Sequence, residues 1–304
     1  MSNFEAFASL LVSEGFNVTL GEPMKKHTSF KIGGCADVFV TIGSKEKLSR
    51  FLTLANENNV PYVILGNGTN MLVSDKGIRG AVVRLDGDFC KIEKNGENGI
   101  VSGAGAMLSR LCQFAHAESL TGLEFAYGIP GSVGGAVYMN AGAYGGEIKD
   151  CAVSCEYMSR DGEVHTLTNE ELDFRYRGSF FTGTDNIILS ASFELQKGDS
   201  EEIKAKMREL MGRRSDKQPL DLPSAGSVFK RPVGYFAGGL IEQCGLKGCT
   251  VGGAQVSEKH AGFIVNIGDA TCEDVLGLVK HIQDTVKAET GVDLECEIKT
   301  IGEV

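Results

Sequence analysis

The sequence predicts a two-part α+β protein, and three observations support this class. Its 304 residues suggest about two domains. Helical periodicity and short apolar strands alternate near the start, whereas strands predominate from residue 80 to 195. Amphipathic helices then return, so we place a boundary near residue 200.

Composition indicates a folded protein with unusual demands on its backbone. Hydrophobic residues make up 42% and charged residues 23%, which argues against disorder. Glycine is the outlier, with 40 residues against a usual share of roughly 7%. Proline is scarce, with 6 residues, so the glycines do not belong to a flexible linker. We expect them to serve tight turns and close approaches to the main chain.

Charge and cysteine usage narrow the class of partner. The net charge of −10 disfavours nucleic acid and anionic membrane surfaces, although a small anionic ligand needs only a local positive site. The first residues show neither a basic region nor a long apolar core, and no segment approaches a membrane span. Nine scattered cysteines, without a histidine or second pair at zinc-ligand spacing, are typical of reduced thiols. We therefore expect a cytoplasmic protein without a metal site.

The first elements form a β-α-β unit. Helical spacing is predicted over Phe4–Leu11, and a strand over Asp37–Ile42. Ser44 can cap a helix whose buried face carries Leu48, Phe51, Leu52 and Ala55. The strand Tyr62–Leu65 then leads directly into a glycine-rich loop.

The remaining elements are strands, followed by helices. The predicted strands are Ala81–Leu85, Ile100–Ser102, Ala152–Met158 and Ile187–Leu195, interrupted by a helix that buries Leu108, Leu111 and Ala115. A helix bearing Ile203, Met207, Leu210 and Met211 precedes the polar stretch 215–224. Thr271 and Asp274 form a capping box for a helix that buries Val275, Leu278, Val279, Ile282 and Val286. A strand over Leu294–Ile301 ends the pattern.

Three glycine-rich segments could bring main chain close to a ligand. They are Gly66–Asn70, Gly128–Gly135 and Asn140–Gly146. Nearly free of side chains, they could admit a pyrophosphate or a flat ring. They match neither the Walker nor the Rossmann glycine pattern. The alternative is that these glycines only make turns.

These segments resemble a known family when taken with four more motifs. Gly66–Asn70 resembles the G-x-G-[ST]-N loop of the vanillyl-alcohol-oxidase-type FAD-binding fold, with Thr69 where serine is common. The second and third segments resemble the UDP-N-acetylenolpyruvoylglucosamine reductases. The resemblance continues in order through Tyr176-Arg177, Pro223–Lys230, Leu240–Gly248 and Leu294–Lys299. It extends from His27 to Ile301.

The resemblance implies a domain plan and a cofactor. It implies two FAD-binding lobes, residues 1–85 and 86–200, and a substrate-binding α+β domain, residues 201–304, whose last strand returns Glu297 to the active site. The first loop has no histidine, which favours non-covalent FAD. The implied cofactor contacts are Gly66, Asn67, Gly68, Thr69, Asn70, Gly128, Ile129, Pro130, Gly131, Ser132, Gly134, Gly135, Asn140 and Ala143.

The implied reaction is the NADPH-dependent, FAD-mediated reduction of UDP-N-acetylglucosamine enolpyruvate to UDP-N-acetylmuramate. This is a step of peptidoglycan precursor synthesis, and so of cell-wall biogenesis, cell shape and cell division. Such chemistry requires a cation for the substrate carboxylate and a proton donor for the adjacent carbon. The resemblance assigns Arg177 to the carboxylate, Ser227 to the proton, and Glu297 to a catalytic acid that polarises the carboxylate.

The residues alone leave these assignments open. Arg175 and Arg177 would share one face of a strand, so spacing cannot choose between them. Ser227 is otherwise a loop serine after a glycine. Glu295 and Glu297 alternate with Leu294, Cys296 and Ile298, so both could be solvated. Glu297 would need a raised pKa or a shared proton to act as an acid.

Softer assignments concern the nucleotide-sugar substrate. Tyr176, Lys217, Arg231, Lys247 and His260 are expected to bind it, with solvated surface residues as the alternative. The chain resembles the shorter class of the family, because it lacks room for the segment whose tyrosine covers the substrate in longer members. We expect a monomer. Two other functions stay open: another FAD-dependent sugar or lactone oxidoreductase of the same fold, and a non-catalytic nucleotide-sugar-binding protein.

Overall fold

The computed structural model describes residues 3–303, which pack as two compact units. Unit 1 contains the described residues up to Leu20, together with Val38–Asn67 and Gly80–Arg214. Unit 2 contains Gly21–Asp37, Gly68–Arg79 and the described residues from Ser215 onward. Each unit has its own hydrophobic core.

The helices of the described chain are mostly short. The α-helices are α1 (Asn3–Ser13), α2 (Lys45–Glu57), α3 (Leu108–Ala117), α4 (Val133–Tyr138), α5 (Ser200–Lys217), α6 (Ala237–Gln243) and α7 (Cys272–Thr290). Single 3-10 turns occur at Met24–Lys26, Gly87–Cys90, Glu124–Ala126 and Ile148–Asp150.

The strands are equally short. They are β1 (Asn17–Pro23), β2 (Cys35–Ile42), β3 (Tyr62–Leu65), β4 (Met71–Val73), β5 (Ile78–Leu85), β6 (Ile92–Asn95), β7 (Gly99–Gly103), β8 (Leu120–Thr121), β9 (Gly142–Ala143), β10 (Gly146–Glu147), β11 (Ala152–Met158), β12 (Val164–Thr168), β13 (Ile187–Glu194), β14 (Gln196–Lys197), β15 (Thr250–Val251), β16 (Ala254–Val256), β17 (Ile264–Asn266) and β18 (Lys299–Ile301).

Three larger sheets organise these strands. A four-stranded sheet has the order β1-β2-β5-β3, with β3 parallel to β5. An antiparallel sheet has the order β12-β11-β13-β7-β6, and an antiparallel three-stranded sheet joins β15, β16 and β17. Strand β4 pairs in parallel with β18. The class is therefore α+β, as predicted.

The predicted β-α-β unit is present, with β5 inserted between its two strands. The Ser44 hydroxyl accepts a hydrogen bond from the Lys47 amide (3.3 Å) and so caps α2. Helix α2 buries Leu48, Phe51 and the other residues of its apolar face. The helix thus packs the face that its sequence period predicts.

Helix α7 also begins where its sequence signal predicts. Thr271 and Asp274 form the capping box, because the Thr271 hydroxyl accepts from the Asp274 amide and the Asp274 carboxylate accepts from the Thr271 amide. The carboxylate of Asp75 accepts two further hydrogen bonds, from the Cys272 amide (2.9 Å) and the Glu273 amide (3.2 Å). This contact ties the segment Gly68–Arg79 to the helix within unit 2.

Two boundaries differ from the sequence prediction. The last strand is only Lys299–Ile301. The predicted alternation holds in part, because Leu294 and Ile298 are buried and Glu295 is exposed, whereas Cys296 and Glu297 are both half-buried. The division between packing units falls at Arg214, within α5, and unit 2 also takes two earlier segments. The functional division into residues 1–85, 86–200 and 201–304 stays a prediction.

Candidate active site

The first glycine-rich loop begins against the second in unit 1. A Cβ added at Gly66 would lie 2.7 Å from the Oγ of Ser132. That hydroxyl is itself engaged, because it accepts from the Gly135 amide (3.2 Å). Only a residue without a side chain fits at position 66 unless Ser132 moves. Glycine here therefore permits close approach, as the sequence predicted.

The second glycine-rich segment is not the open loop that we expected. Residues Val133–Tyr138 form α4, capped by Ser132. The first amides of this helix already have protein acceptors: Val133 donates to Ala106 O (2.8 Å) and Gly134 donates to Ala104 O (2.8 Å). With the Gly135 amide bonded to Ser132, the start of α4 is not available as an anion-binding terminus.

Close packing accounts for some glycines of these segments. A Cβ at Gly134 would lie 2.8 Å from the Cβ of Ala104, and one at Gly146 would lie 2.7 Å from the ring of Phe125. Glycine at these two positions therefore serves close packing, whereas the cofactor contact of Gly134 stays a prediction. Pro130 and Gly135 are exposed, and Gly128, Ile129, Gly131 and Gly134 are half-buried, so the segment stays accessible at both of its ends.

The third segment is a tight hairpin. Strands β9 and β10 are joined by Tyr144 (φ 55°) and Gly145 (φ 90°), both with the positive φ of a type I′ turn. Asn140 precedes the hairpin and is buried. Its side-chain amide donates to Glu147 and to the Arg175 carbonyl (3.3 Å). The Asn140 side chain therefore anchors the arginine segment that follows.

Arg175 and Arg177 do not share a strand face, so that prediction is wrong. Arg175 and Gly178 exchange two backbone hydrogen bonds (3.0 and 3.2 Å), which close a turn over Tyr176 and Arg177. Arg177 has a φ of 56°, a left-handed conformation that costs a non-glycine residue about 1–3 kcal/mol. The two side chains separate: exposed Arg175 pairs with Asp173, whereas the guanidinium of Arg177 lies 5.0 Å from the ring centroid of Tyr176.

Ser227 lies in unit 2 on a segment held between two others. On one side the Val228 amide donates to Gly262 O (2.9 Å), and on the other the Glu297 amide donates to Val228 O (2.8 Å). Isolated bridges pair Ser227 with Phe263 and Phe229 with Cys296. Backbone pairing therefore places the predicted proton donor and Glu297 on adjacent segments.

The immediate surroundings of Ser227 are partly buried. Its hydroxyl donates to Phe229 O (3.2 Å). A Cβ at Gly262 would lie 3.6 Å from the Ser227 Oγ and 3.0 Å from the imidazole of His260, so both side chains flank this glycine. Glu297 is half-buried, and its carbonyl accepts from the Asn70 side-chain amide (3.3 Å). Asn70, predicted to bind cofactor, thus supports the Glu297 segment.

The predicted positive cluster is less positive than expected. Lys247 forms an ion pair with Glu242 (2.7 Å). Arg231 donates to Tyr235 O and lies 3.9 Å from the ring centroid of Phe236. Burial lowers the pKa of His260, whose Nδ1 accepts from the Gly262 amide, so the ring stays neutral. Lys217 is exposed at the end of α5.

Other features of the described chain bear on the predicted partners. Across residues 3–303, no helix is long and apolar enough to cross a membrane, and no cluster of His, Cys, Asp and Glu could hold a metal ion. All nine cysteines are unpaired. Burial raises the pKa of Cys151 and of Cys155 to about 12, so neither is a thiolate at neutral pH.

One charged residue that the sequence reasoning did not single out is partly buried beside the second segment. The side chain of Arg214 lies against Gly128, and its buried Nε has no hydrogen-bond partner. Helical spacing could have identified this residue in the sequence. Arg214 follows Leu210 by four residues and so lies on the face of α5 that carries the buried residues.

Comparison with known families matches both parts of the chain. Residues 36–168 match the family model of the FAD binding domain. Residues 218–301 match the model of the UDP-N-acetylenolpyruvoylglucosamine reductase C-terminal domain.

Whole-chain comparison extends this match. The UDP-N-acetylenolpyruvoylglucosamine reductase of Clostridioides difficile (strain 630) is 48% identical over 304 residues, covering 100% of both chains. That of Caldanaerobacter subterraneus subsp. tengcongensis is 51% identical over 293 residues, 96% of each chain. The chain belongs to the UDP-N-acetylenolpyruvoylglucosamine reductase family. The crystal structure of the Thermus caldophilus family member superposes with a TM-score of 0.81 at 38% identity, covering 94% of this chain and 98% of that one.

Family membership confirms the predicted resemblance and class of activity. The protein is an FAD-dependent oxidoreductase with an FAD-binding region followed by a C-terminal domain of the reductase family. The accessible, side-chain-poor backbone at Gly66 and Gly128–Gly131 fits a flavin nucleotide. Family membership does not by itself assign a role to any single residue of this chain.

Proposed function

We propose that this protein reduces the enolpyruvyl group of UDP-N-acetylglucosamine enolpyruvate, with NADPH as the electron source, and yields UDP-N-acetylmuramate. Membership of the reductase family supports the reaction. The observation that carries the mechanism is the backbone pairing that sets Ser227 and Glu297 on adjacent segments. The protein would act in the cytoplasm, as a monomer, in peptidoglycan precursor synthesis and hence in cell shape and division.

Bound FAD supplies a hydride carrier between the nicotinamide and the substrate. The protein's residues must hold the substrate carboxylate, stabilise the negative charge that develops on it, and deliver a proton to the adjacent carbon. Arg177 suits the first task, because its guanidinium stays charged and can hold a carboxylate through two parallel hydrogen bonds. Its left-handed backbone supports a functional demand, since such a conformation costs stability.

Ser227 would deliver the proton and Glu297 would polarise the carboxylate. The Ser227 hydroxyl donates to the Phe229 carbonyl at 3.2 Å, so a change of rotamer would redirect its proton to a substrate. Glu297 is half-buried on the adjacent segment, which limits its exposure to water. Neutral His260 would add a hydrogen-bond donor at Nε2 beside Ser227 without adding charge.

Binding of the nucleotide sugar would rely on an exposed aromatic ring and on three cationic side chains. Tyr176 is 54% exposed and so can present its ring to a ligand. Lys217 is exposed, whereas Lys247 would have to exchange its Glu242 partner for a phosphate. Arg231, held over the ring of Phe236, keeps a fixed orientation. Lys217, Arg231, Lys247 and His260 are proposed as diphosphate and uridine contacts, and Tyr176 as a further contact of the substrate.

The test is a reduction assay with a matched substrate. The purified protein should be yellow, release intact FAD on denaturation, and oxidise more than one equivalent of NADPH per flavin only when the enolpyruvyl sugar nucleotide is present. UDP-N-acetylglucosamine without the enolpyruvyl group should not support oxidation, and the product should be heavier by a hydride and a proton. Sugar oxidation coupled to oxygen would instead support the oxidase alternative. Protein that binds the nucleotide sugar but never takes up FAD would support the non-catalytic one.

A further inference from the structure

Arg214 occupies a position where an amphipathic helix normally carries an apolar side chain. In α5 the buried residues are Ile203, Met207 and Leu210. Their spacing of four and then three places the next buried position at 214, which is an arginine. The residue before it, Arg213, points to solvent and pairs with Glu209 in the manner of an ordinary surface arginine. The two adjacent arginines therefore differ in environment, although they are identical in chemistry.

The surroundings of Arg214 belong to the second glycine-rich segment. A Cβ at Gly128 would lie 3.2 Å from the Cδ of Arg214 and 3.4 Å from the Sδ of Met211. The absence of a side chain at 128 thus allows the methylene chain of the arginine to lie against the loop backbone. The Nε of Arg214 is buried and has no hydrogen-bond partner. A buried donor left in this state is destabilising, because it has lost its hydrogen bond to water without gaining another.

Within residues 3–303, the guanidinium of Arg214 also forms no ion pair with a carboxylate. Burial lowers the pKa of its guanidinium, and the field that opposes this effect comes from the phenol of Tyr144 and not from a carboxylate. Buried charges in proteins are normally paired. A cation without a carboxylate, facing an accessible glycine segment, is an arrangement suited to an anion supplied by a ligand.

The chemistry of FAD identifies the anion. The permanent negative charge of this cofactor resides on its diphosphate, and the usual protein partner for such a group is a helix N-terminus. The first amides of α4 are already bonded to Ala106, Ala104 and Ser132, so this helix start does not supply the donors. We propose that Arg214 donates hydrogen bonds to a phosphate oxygen of bound FAD, beside Gly128. This deepens the proposed function and rests only on its cofactor.

The test is FAD titration of the apoprotein, followed by flavin fluorescence. Arg214→Gln removes the charge at similar length and should weaken FAD binding on the order of 10- to 100-fold, as expected for a lost charge-assisted hydrogen bond. Arg214→Lys keeps the charge but loses the planar fork. Its affinity for FAD should therefore lie between those of the wild type and Arg214→Gln. Arg213→Gln is the matched control and should bind FAD like the wild type. Because no turnover is involved, failure of the proposed reaction would leave this result unaffected.

Two further measurements separate a phosphate contact from other roles. Riboflavin lacks the diphosphate, so its affinity should be the same in wild type and Arg214→Gln. Arg214→Met should leave the apoprotein at least as stable to heat, because it removes an uncompensated buried cation. An equal loss of riboflavin and FAD affinity would assign Arg214 to the flavin ring and overturn the proposal. Unchanged FAD affinity with a raised KM for the nucleotide sugar would overturn it in favour of the substrate diphosphate.

Discussion

The glycine-rich segments of unit 1 and the Ser227 segment of unit 2 are positioned by opposite means. In unit 1, small residues let backbone and side chain meet closely, as Gly66 meets Ser132 and Gly134 meets Ala104. In unit 2, Ser227 and Glu297 lie on adjacent segments that backbone hydrogen bonds join, and both side chains are half-buried. The glycines of unit 1 are therefore positioned by close packing, whereas the Ser227 and Glu297 segments of unit 2 are positioned by backbone hydrogen bonds.

This difference shows which kinds of residue can be detected from amino-acid composition. An excess of glycine marks the cofactor region but does not tell a packing glycine from one that admits a ligand. A catalytic serine or glutamate leaves no compositional trace at all. Substitutions should accordingly have different consequences in the two regions: loss of chemistry without loss of fold in unit 2, and loss of fold before loss of chemistry at the packed glycines of unit 1.

The largest effect is expected for Ser227→Ala. Reoxidation of reduced flavin by the enolpyruvyl substrate should slow by roughly 10²–10⁴-fold, as for a lost general acid. Reduction of the flavin by NADPH should stay near normal, because that step takes no proton from Ser227. Stopped-flow absorbance, run once for each half-reaction, measures both rates. Ser227→Cys provides a second donor and should recover part of the rate. Equal slowing of both half-reactions would assign Ser227 to shaping the flavin site.

A smaller loss is expected for Arg177→Lys, which tests whether unit 1 also contributes a reacting side chain. The lysine keeps the charge but not the bidentate fork, so the substrate half-reaction should slow by about 10- to 100-fold. Arg175→Ala is the control, because the exposed Arg175 side chain pairs with Asp173 while its backbone closes the turn. Normal turnover in the Arg177 variant together with a slow Arg175 variant would show that the wrong arginine was chosen.

Gly134→Ala should damage the fold of unit 1 directly. The added methyl would lie 2.8 Å from the Cβ of Ala104, so we expect a loss of about 1–3 kcal/mol in the free energy of unfolding. Thermal denaturation of the apoprotein measures it. Gly212→Ala is the matched control: its Cβ meets nothing within 4 Å, and helix propensity favours alanine by up to about 1 kcal/mol. An apoprotein of undiminished stability that binds FAD poorly would restore Gly134 to the cofactor site.

The smallest effect concerns the pH dependence of stability in unit 2. Burial lowers the pKa of His260 from its ordinary value of 6.5. As the pH falls below 6.5, His260 is protonated in the unfolded chain but not yet in the folded chain. The free energy of unfolding therefore decreases with falling pH until the pH reaches the pKa of His260 in the folded chain. The slope cannot exceed about 1.4 kcal/mol per pH unit for one proton. Denaturant unfolding at several pH values should show a flatter profile for His260→Gln, and no such change for the exposed His281→Gln.

Local physics made the longer helices and the central strands predictable, whereas the short strands and helices α4 and α6 were not predicted. Ser44 and the pair Thr271–Asp274 cap helices as expected, because capping depends on residues three positions apart. The turn at Arg175–Gly178 was misjudged as a strand, since its conformation depends on a positive φ at an arginine and on the Asn140 side chain, which reaches from a distant segment. The adjacency of Ser227 and Glu297 is likewise non-local, because 70 positions of sequence separate the two residues.

The backbone of Arg177 has a consequence for engineering. Glycine, or even asparagine, would adopt a φ of 56° with less strain, so a search for stabilising substitutions would replace this arginine early. Such a search would improve the melting temperature at the expense of the side chain that the turn presents. Given the role proposed for Arg177, screens of this chain for thermostability need an activity readout at every round.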